Sequence, residues 1–302
     1  MQSAAFPLIV AVIFVYYCTV NAGYVDSVSR SLFFPIAAAA YSDQPELCMK
    51  NKLGSKFELV NYYNVSCDSL EDDCFSFLGL SHEQKAIVIG FRGTSSPRQL
   101  LTEGWQAIFD DEVPAFGRVK VIDYFLQAFQ VMWKMGMKDD FKDANKLYSD
   151  YSIWISGHSL GGSMASIAAL HLVYYYSLPR DRVFLYTYGQ PRTGDYDFAE
   201  MHTDLVPQTW RVTHHLDIVP NLPPFFLFYY WHHKTEIFYP DGMQIGADFD
   251  VCDSEESVHC SIGKFPSSIE DHIVYFQVHV SDFGKMGCVN VNSTMTPSRR
   301  RK

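Results

Sequence analysis

Ser159 stands at the centre of Gly157-His-Ser-Leu-Gly161. In a G-x-S-x-G spacing the serine sits on a sharp turn between a strand and a helix, and its near neighbours are almost free of side chains so that the two elements can approach. The hydroxyl is thereby pushed out at the top of a sheet, where it can act as a nucleophile. Such a five-residue pattern arises by chance in roughly one chain in ten of this length, so its surroundings must carry the argument. They do: Tyr151 to Ser156 is rich in aromatic and β-branched residues and reads as a strand, and Gly161, Gly162, Ala165, Ala168 and Ala169 pattern a helix from Leu160 to about Tyr176.

A serine hydroxyl needs a base to take its proton, and the base needs a carboxylate that fixes its tautomer and stabilises its charged form. When the nucleophile sits on a strand-to-helix turn, the partners follow it in the order acid, then histidine. Asp217, in Leu216-Asp-Ile-Val-Pro220, comes directly after a strand-like run at 208–213, whereas Asp195, Asp197 and Asp204 fall in or beside a predicted helix. Among the later histidines, His232 and His233 lie in a strand-like run, His259 adjoins a cysteine and His279 lies in the last segment. His272 opens an element, Asp271-His-Ile-Val-Tyr-Phe276, and is best placed to reach the serine. The charged intermediate also needs donors. Leu160 supplies a backbone N–H, and the loop after an earlier strand supplies Thr94, for which the alternative is an ordinary turn or helix-cap residue.

The elements that must position these groups alternate along the chain. Continuous apolar runs at 85–91, 151–156 and 182–188 suit strands covered on both faces, and 208–213 is another strand. Helical patterns fall at 24–41, 119–138, 140–148, 160–176 and 196–205, and 57–63 reads as a strand before an acidic loop. This alternation predicts an α/β class fold with a largely parallel sheet and helices on both faces. Residues 98–109 read either as a mobile lid or as a packed surface helix. After Pro220 the chain turns aromatic through Trp231, with a strand expected to continue to Tyr239; the aromatics are either core filler or an apolar rim that meets lipid.

With 302 residues, 48% of them hydrophobic, the chain suits one large domain over 23–290. Its net charge of −10 makes nucleic acid a poor partner. The His214-His215 and His232-His233 doublets would point to opposite faces of a strand, which argues against a metal, and no cofactor motif is present. Residues 1–22 lack charged side chains, carry an apolar stretch from Ala4 to Cys18 and end in Val20-Asn21-Ala22, which reads as a signal peptide; the alternative is an uncleaved anchor. Without that segment six cysteines remain. An even count fits an oxidising compartment, but six allow fifteen pairings, and only Cys67 with Cys74 suggests a local bridge. Asn64-Val-Ser66 and Asn292-Ser-Thr294 are glycosylation sequons. Residues 291–302 form a basic, solvated tail.

Taken in order, Phe91-Arg-Gly-Thr-Ser95, Gly157-His-Ser-Leu-Gly161, Gly189-Gln-Pro-Arg-Thr-Gly194, Asp217-Ile-Val-Pro220 and Asp271-His272 resemble the motifs of the secreted fungal-type class 3 lipases. The resemblance implies an α/β-hydrolase fold and hydrolysis of lipid esters at a lipid–water interface. It implies Ser159 as nucleophile, Asp217 as acid, His272 as base, and Thr94 and Leu160 as oxyanion donors. It also implies the pairings Cys48–Cys288, Cys67–Cys74 and Cys252–Cys260. The chain departs from many relatives at Val121-Ile-Asp-Tyr-Phe125, where they carry His-x-Gly-Phe before the long helix, and it places Pro97 and Gly104 in the lid region.

Overall fold

The computed structural model describes residues 23–66, 73–94, 111–224, 229–264 and 266–289. The leader expected at 1–22, the segment 98–109, Cys67, Phe225 to Phe228, Asn292 and the tail lie outside the described residues.

An eight-stranded sheet organises the chain. Its strands are β1 (Phe57–Ser66), β2 (Asp73–Ser81), β3 (Ala86–Phe91), β6 (Ser152–His158), β7 (Val183–Tyr188), β9 (Thr209–His214), β11 (Glu236–Tyr239) and β12 (Asp250–Cys252), in that spatial order. The pairs β3/β6, β6/β7, β7/β9 and β9/β11 are parallel, and the outer pairs are antiparallel. A smaller sheet in the order β10-β8-β5-β4 uses β4 (Glu112–Ala115), β5 (Val119–Ile122), β8 (Gly194–Asp195) and β10 (Tyr230–Trp231).

The central strands read as unbroken apolar runs because both of their faces are covered. Ile87 and Ile89 join a core layer with the helices Asp123–Met132 and Leu160–Tyr176. Ala86 and Val88 join a second layer on the other face with the helical run that ends in Phe34–Ala39 and with Val280–Lys285. Leu185 and Tyr186 divide between the layers in the same way. Alternate side chains of one strand thus bury in different cores.

Two expectations need correction. Val119–Ile122 does not begin a helix: Phe116 and Gly117 take positive φ (47° and 85°), so the chain reverses there and 119–122 pairs antiparallel with β4 as strand β5. The helix starts at Asp123, and the break expected just after Lys138 falls slightly earlier, at Gly136 (φ 128°, ψ −24°), before the helix Lys138–Leu147. The aromatic stretch after Pro220 also does not form one strand to Tyr239. Tyr230–Trp231 pairs with β8 in the small sheet and Glu236–Tyr239 with β9 in the large one, while His232 and His233 lie between them, fully packed. The disulfides Cys48–Cys288 and Cys252–Cys260 join described residues, and Cys74 is disulfide-bonded as well.

Candidate active site

Strands β3, β6 and β9 run parallel, so their carboxyl ends share one edge of the sheet, the edge at which ligands bind in open α/β folds. Thr94, Ser159 and Asp217 each follow one of these ends.

The nucleophile turn forms because β6 and the helix Leu160–Tyr176 meet almost backbone to backbone. A methyl group on Gly157 would lie 2.2 Å from the Gly161 carbonyl oxygen, and one on Gly161 would lie 2.4 Å from that of Phe91. Between them Ser159 takes φ 60° and ψ −133°, a conformation that side-chain-bearing residues rarely adopt. Its N–H bonds to the Tyr188 carbonyl at 2.9 Å, and its own carbonyl accepts from Gly162 N–H at 2.8 Å, which holds the strained residue from both sides.

Ser159 Oγ lies 2.9 Å from His272 Nε2, and His272 Nδ1 lies 3.0 Å from Asp217 Oδ2. All three residues are buried. With the Nδ1 proton donated to the carboxylate, Nε2 is left free to accept the hydroxyl proton. Asp217 is held twice more: Val219 N–H donates to Oδ1 at 2.9 Å and the Tyr275 hydroxyl to Oδ2 at 2.6 Å. Burial and the adjacent Asp217 raise the Tyr275 hydroxyl well above the usual phenol range, so it stays protonated and remains a donor. Tyr275 was missed from the sequence. Its position three residues after His272 was the available signal, but only the turn of β13 (Val274–Tyr275) carries its hydroxyl to the acid.

His158, set aside because it precedes the acid in the chain, packs beside the base. Its ring stacks on that of His272 at 4.6 Å, its Nε2–H donates to the His272 carbonyl at 2.8 Å, and its Nδ1 accepts from the Tyr41 hydroxyl at 2.8 Å. Burial, with His272 alongside, lowers its pKa to about 3, so it is neutral and does not compete for the proton from the serine. Gly189, which opens the Gly189 to Gly194 motif, has φ 57°. A methyl group there would lie 2.7 Å from Asp217 Oδ2 and 2.8 Å from His272 Nδ1, so this glycine is what lets acid and base meet. Arg192 of the same motif is buried and bidentate to Glu256, at 2.8 and 2.6 Å, and ties the motif to a later loop.

The two residues expected as oxyanion donors lie near each other. Thr94 and Leu160 line one small pocket together with Arg92, Gly93 and Met164. A methyl group on Gly93 would come within 2.8 Å of Ser159 Cβ, so the end of β3 abuts the nucleophile. Leu160 is the first residue of its helix, where backbone N–H groups have no intrahelical acceptor and the helix dipole favours negative charge. The arrangement can remove a proton from a hydroxyl and stabilise an oxyanion beside it. Among the described residues no group of His, Cys, Asp and Glu could hold a metal ion.

The chain is similar to several known lipases. A lipase from Caenorhabditis elegans, ZK262.3, is 30% identical over 89% of this chain and 84% of its own length. The secreted mono- and diacylglycerol lipase 1 of Fusarium solani is 33% identical over 67% of this chain and 60% of that protein. Among solved structures, the lipase of Rhizopus microsporus var. chinensis superposes with a TM-score of 0.73 at 27% identity, over 86% of this chain and 90% of that one. A triacylglycerol lipase whose catalytic centre is formed by a serine protease triad gives 0.73 at 26% identity, over 86% and 98%. Residues 88–227 match the family described as Lipase (class 3). With an α/β-hydrolase fold and a tight strand-to-helix turn at Ser159 on the edge of a mostly parallel sheet, the chain belongs to the class 3 lipases, a family of carboxylic ester hydrolases.

Proposed function

We propose that the protein is a secreted acylglycerol lipase that works through Ser159, His272 and Asp217. The observation that carries this reading is the pair of contacts that puts one imidazole 2.9 Å from the hydroxyl and 3.0 Å from the carboxylate. Ser159 Oγ attacks the ester carbonyl as its proton passes to His272 Nε2, and Asp217 stabilises the imidazolium. The oxyanion accepts from the backbone N–H groups of Leu160 and Thr94 and from the Thr94 hydroxyl. His272 then gives its proton to the departing alcohol. A water molecule, deprotonated by the same nitrogen, releases the fatty acid and restores the serine.

Acylglycerols are the favoured substrate because two of the relatives named above are a mono- and diacylglycerol lipase and a triacylglycerol lipase. Exposed aromatics support action at a lipid–water interface: Tyr229 is 75% exposed, and Trp231 packs edge-on against the exposed Tyr196. Secretion, with removal of residues 1–22, is supported by the disulfides, by the secreted Fusarium relative and by the exposure of the sequon Asn64 on edge strand β1. Glycosylation is assigned to Asn64 and Asn292, and a third disulfide to Cys67 and Cys74.

Ser159→Ala should lower ester hydrolysis by about 10⁴-fold or more while secretion and the melting temperature are kept. An organophosphate should label Ser159 and no other serine. Wild-type activity in the alanine variant would remove the assignment. A panel of tri-, di- and monoacylglycerols, phospholipids and short soluble esters, given to the purified secreted protein, separates an acylglycerol lipase from a phospholipase A1 or a general carboxylesterase.

A further inference from the structure

Asp217, on a loop, and His272, in the short helix Glu270–Ile273, are 55 residues apart, and their contact depends on how these two segments are held together. The three residues before the acid all bond to the one residue before the base. His214 Nδ1–H donates to the Asp271 carbonyl at 3.0 Å, His215 Nδ1–H to Asp271 Oδ2 at 2.9 Å, and Leu216 backbone N–H to that same oxygen at 3.2 Å. Ser268 completes the seam. Its N–H donates to the Leu216 carbonyl at 2.7 Å, its carbonyl accepts from Ile218 N–H at 3.3 Å, and its Oγ accepts from Asp271 N–H at 3.1 Å.

His215 holds its part of the seam under strain. Its φ is 42°, a left-handed backbone that a non-glycine residue keeps only when its surroundings over-determine it. Those surroundings are the Asp271 carboxylate and the Tyr239 carbonyl, which accepts His215 N–H at 2.7 Å. The two side chains do little for the core, since 42% of the His215 side chain and 22% of that of Asp271 are exposed. A pair so placed contributes little to stability on its own. Geometry is another matter, because a shift of about 1 Å between reacting groups can cost roughly 100-fold in rate.

We infer that Asp271 is a positioning residue for the ester hydrolase reaction, and that with His215 and the Leu216 N–H it clasps the acid loop to the base so that Asp217 meets His272 Nδ1. The clasp rests on the roles proposed above for Asp217 and His272. It touches no substrate, so its loss slows turnover without weakening substrate binding.

The test uses the full secreted protein and a soluble short-chain p-nitrophenyl ester. Asp271→Ala should lower kcat about 10- to 100-fold with KM within about twofold. Asp271→Asn keeps an oxygen that can accept from Leu216 and His215, and it should recover most of that loss. His215→Ala, at a half-exposed site that folding tolerates, should lower kcat several-fold, and should lower it no further in the Asp271→Ala background. Wild-type kcat in His215→Ala and Asp271→Ala, an asparagine variant as slow as alanine, or effects of the two sites that multiply independently would each overturn the clasp. The organophosphate label on wild-type Ser159 keeps the two readings apart: a labelled serine with an inert clasp rejects only the clasp, whereas an unlabelled serine rejects the triad.

Discussion

At the scale of single residues, Asp217 is the most heavily held of the three groups proposed to react. Asp217 accepts from His272, from the Val219 N–H and from the Tyr275 hydroxyl, and the tyrosine supplies the shortest of these contacts, 2.6 Å. A hydrogen bond to a charged acceptor is worth about 1.5–3 kcal/mol. Tyr275→Phe keeps the ring, which packs edge-on against His158 and His214, and removes only the hydroxyl. It should therefore destabilise the protein by about that amount in urea unfolding and slow turnover several-fold, since the carboxylate is then free to turn away from the imidazole. Unchanged stability together with unchanged kcat would show that the hydroxyl only fills space. Ser159, Asp217 and His272, which the fold brings into contact, were legible as candidates because each lies in a short local pattern tied to a strand end or an element start. Tyr275 and the Asp271 clasp could not, since their partners lie 58 and up to 57 residues away and depend on how two loops cross.

Elements follow the same rule. Strands β3, β6 and β7 were legible because a strand buried on both faces is apolar at most of its positions. β5 was not. Its four residues, Val119-Lys-Val-Ile122, are too few for their alternation to stand out beside the helical pattern that follows, and the clue was the turn at Phe116 and Gly117, whose positive φ values send the chain back along β4. The split of the 230–239 region into two sheets was hidden for a related reason: aromatic content marks burial but does not say against which layer. The join between β6 and its helix is the element-level feature on which the site depends most, and it can be tested directly. In Gly157→Ala the new methyl group has no flexible side chain to displace, only the Gly161 backbone at 2.2 Å and the Gly162 nitrogen at 2.8 Å. Overpacking of this kind costs about 1–3 kcal/mol or more, and here it is relieved by moving the helix start that carries Leu160. Gly157→Ala should lose both stability and organophosphate reactivity at Ser159. A variant that melts like wild type and labels at the same rate would show that the close approach is not needed.

For the molecule as a whole, buried histidines set the response to acid. His158 and His202 are completely enclosed, and burial, with His272 beside the former, lowers each to about 3; His171, among aromatic rings, is lowered to about 4. His232 and His233 are pushed well below their ordinary value by burial, His232 next by the neighbouring Arg211 and His233 by His202, on which its ring stacks at 3.8 Å. In the unfolded chain these imidazoles return to about 6.5. Above that value both states hold them neutral, and the fold keeps its full stability. As pH falls below 6.5 the unfolded chain takes up protons that the folded protein refuses, and each fully buried histidine subtracts up to about 1.4 kcal/mol per pH unit until its folded pKa is reached. The melting temperature should therefore be flat from about pH 8 to 6.5 and should fall progressively toward pH 4.5, with inactivation following unfolding; calorimetry across that range checks it. A melting temperature that holds to pH 4.5 would mean that the interior takes up these protons with counter-charges at hand. The same experiment bears on where a lipase with this interior can work, because its fold loses stability as the surroundings turn acidic.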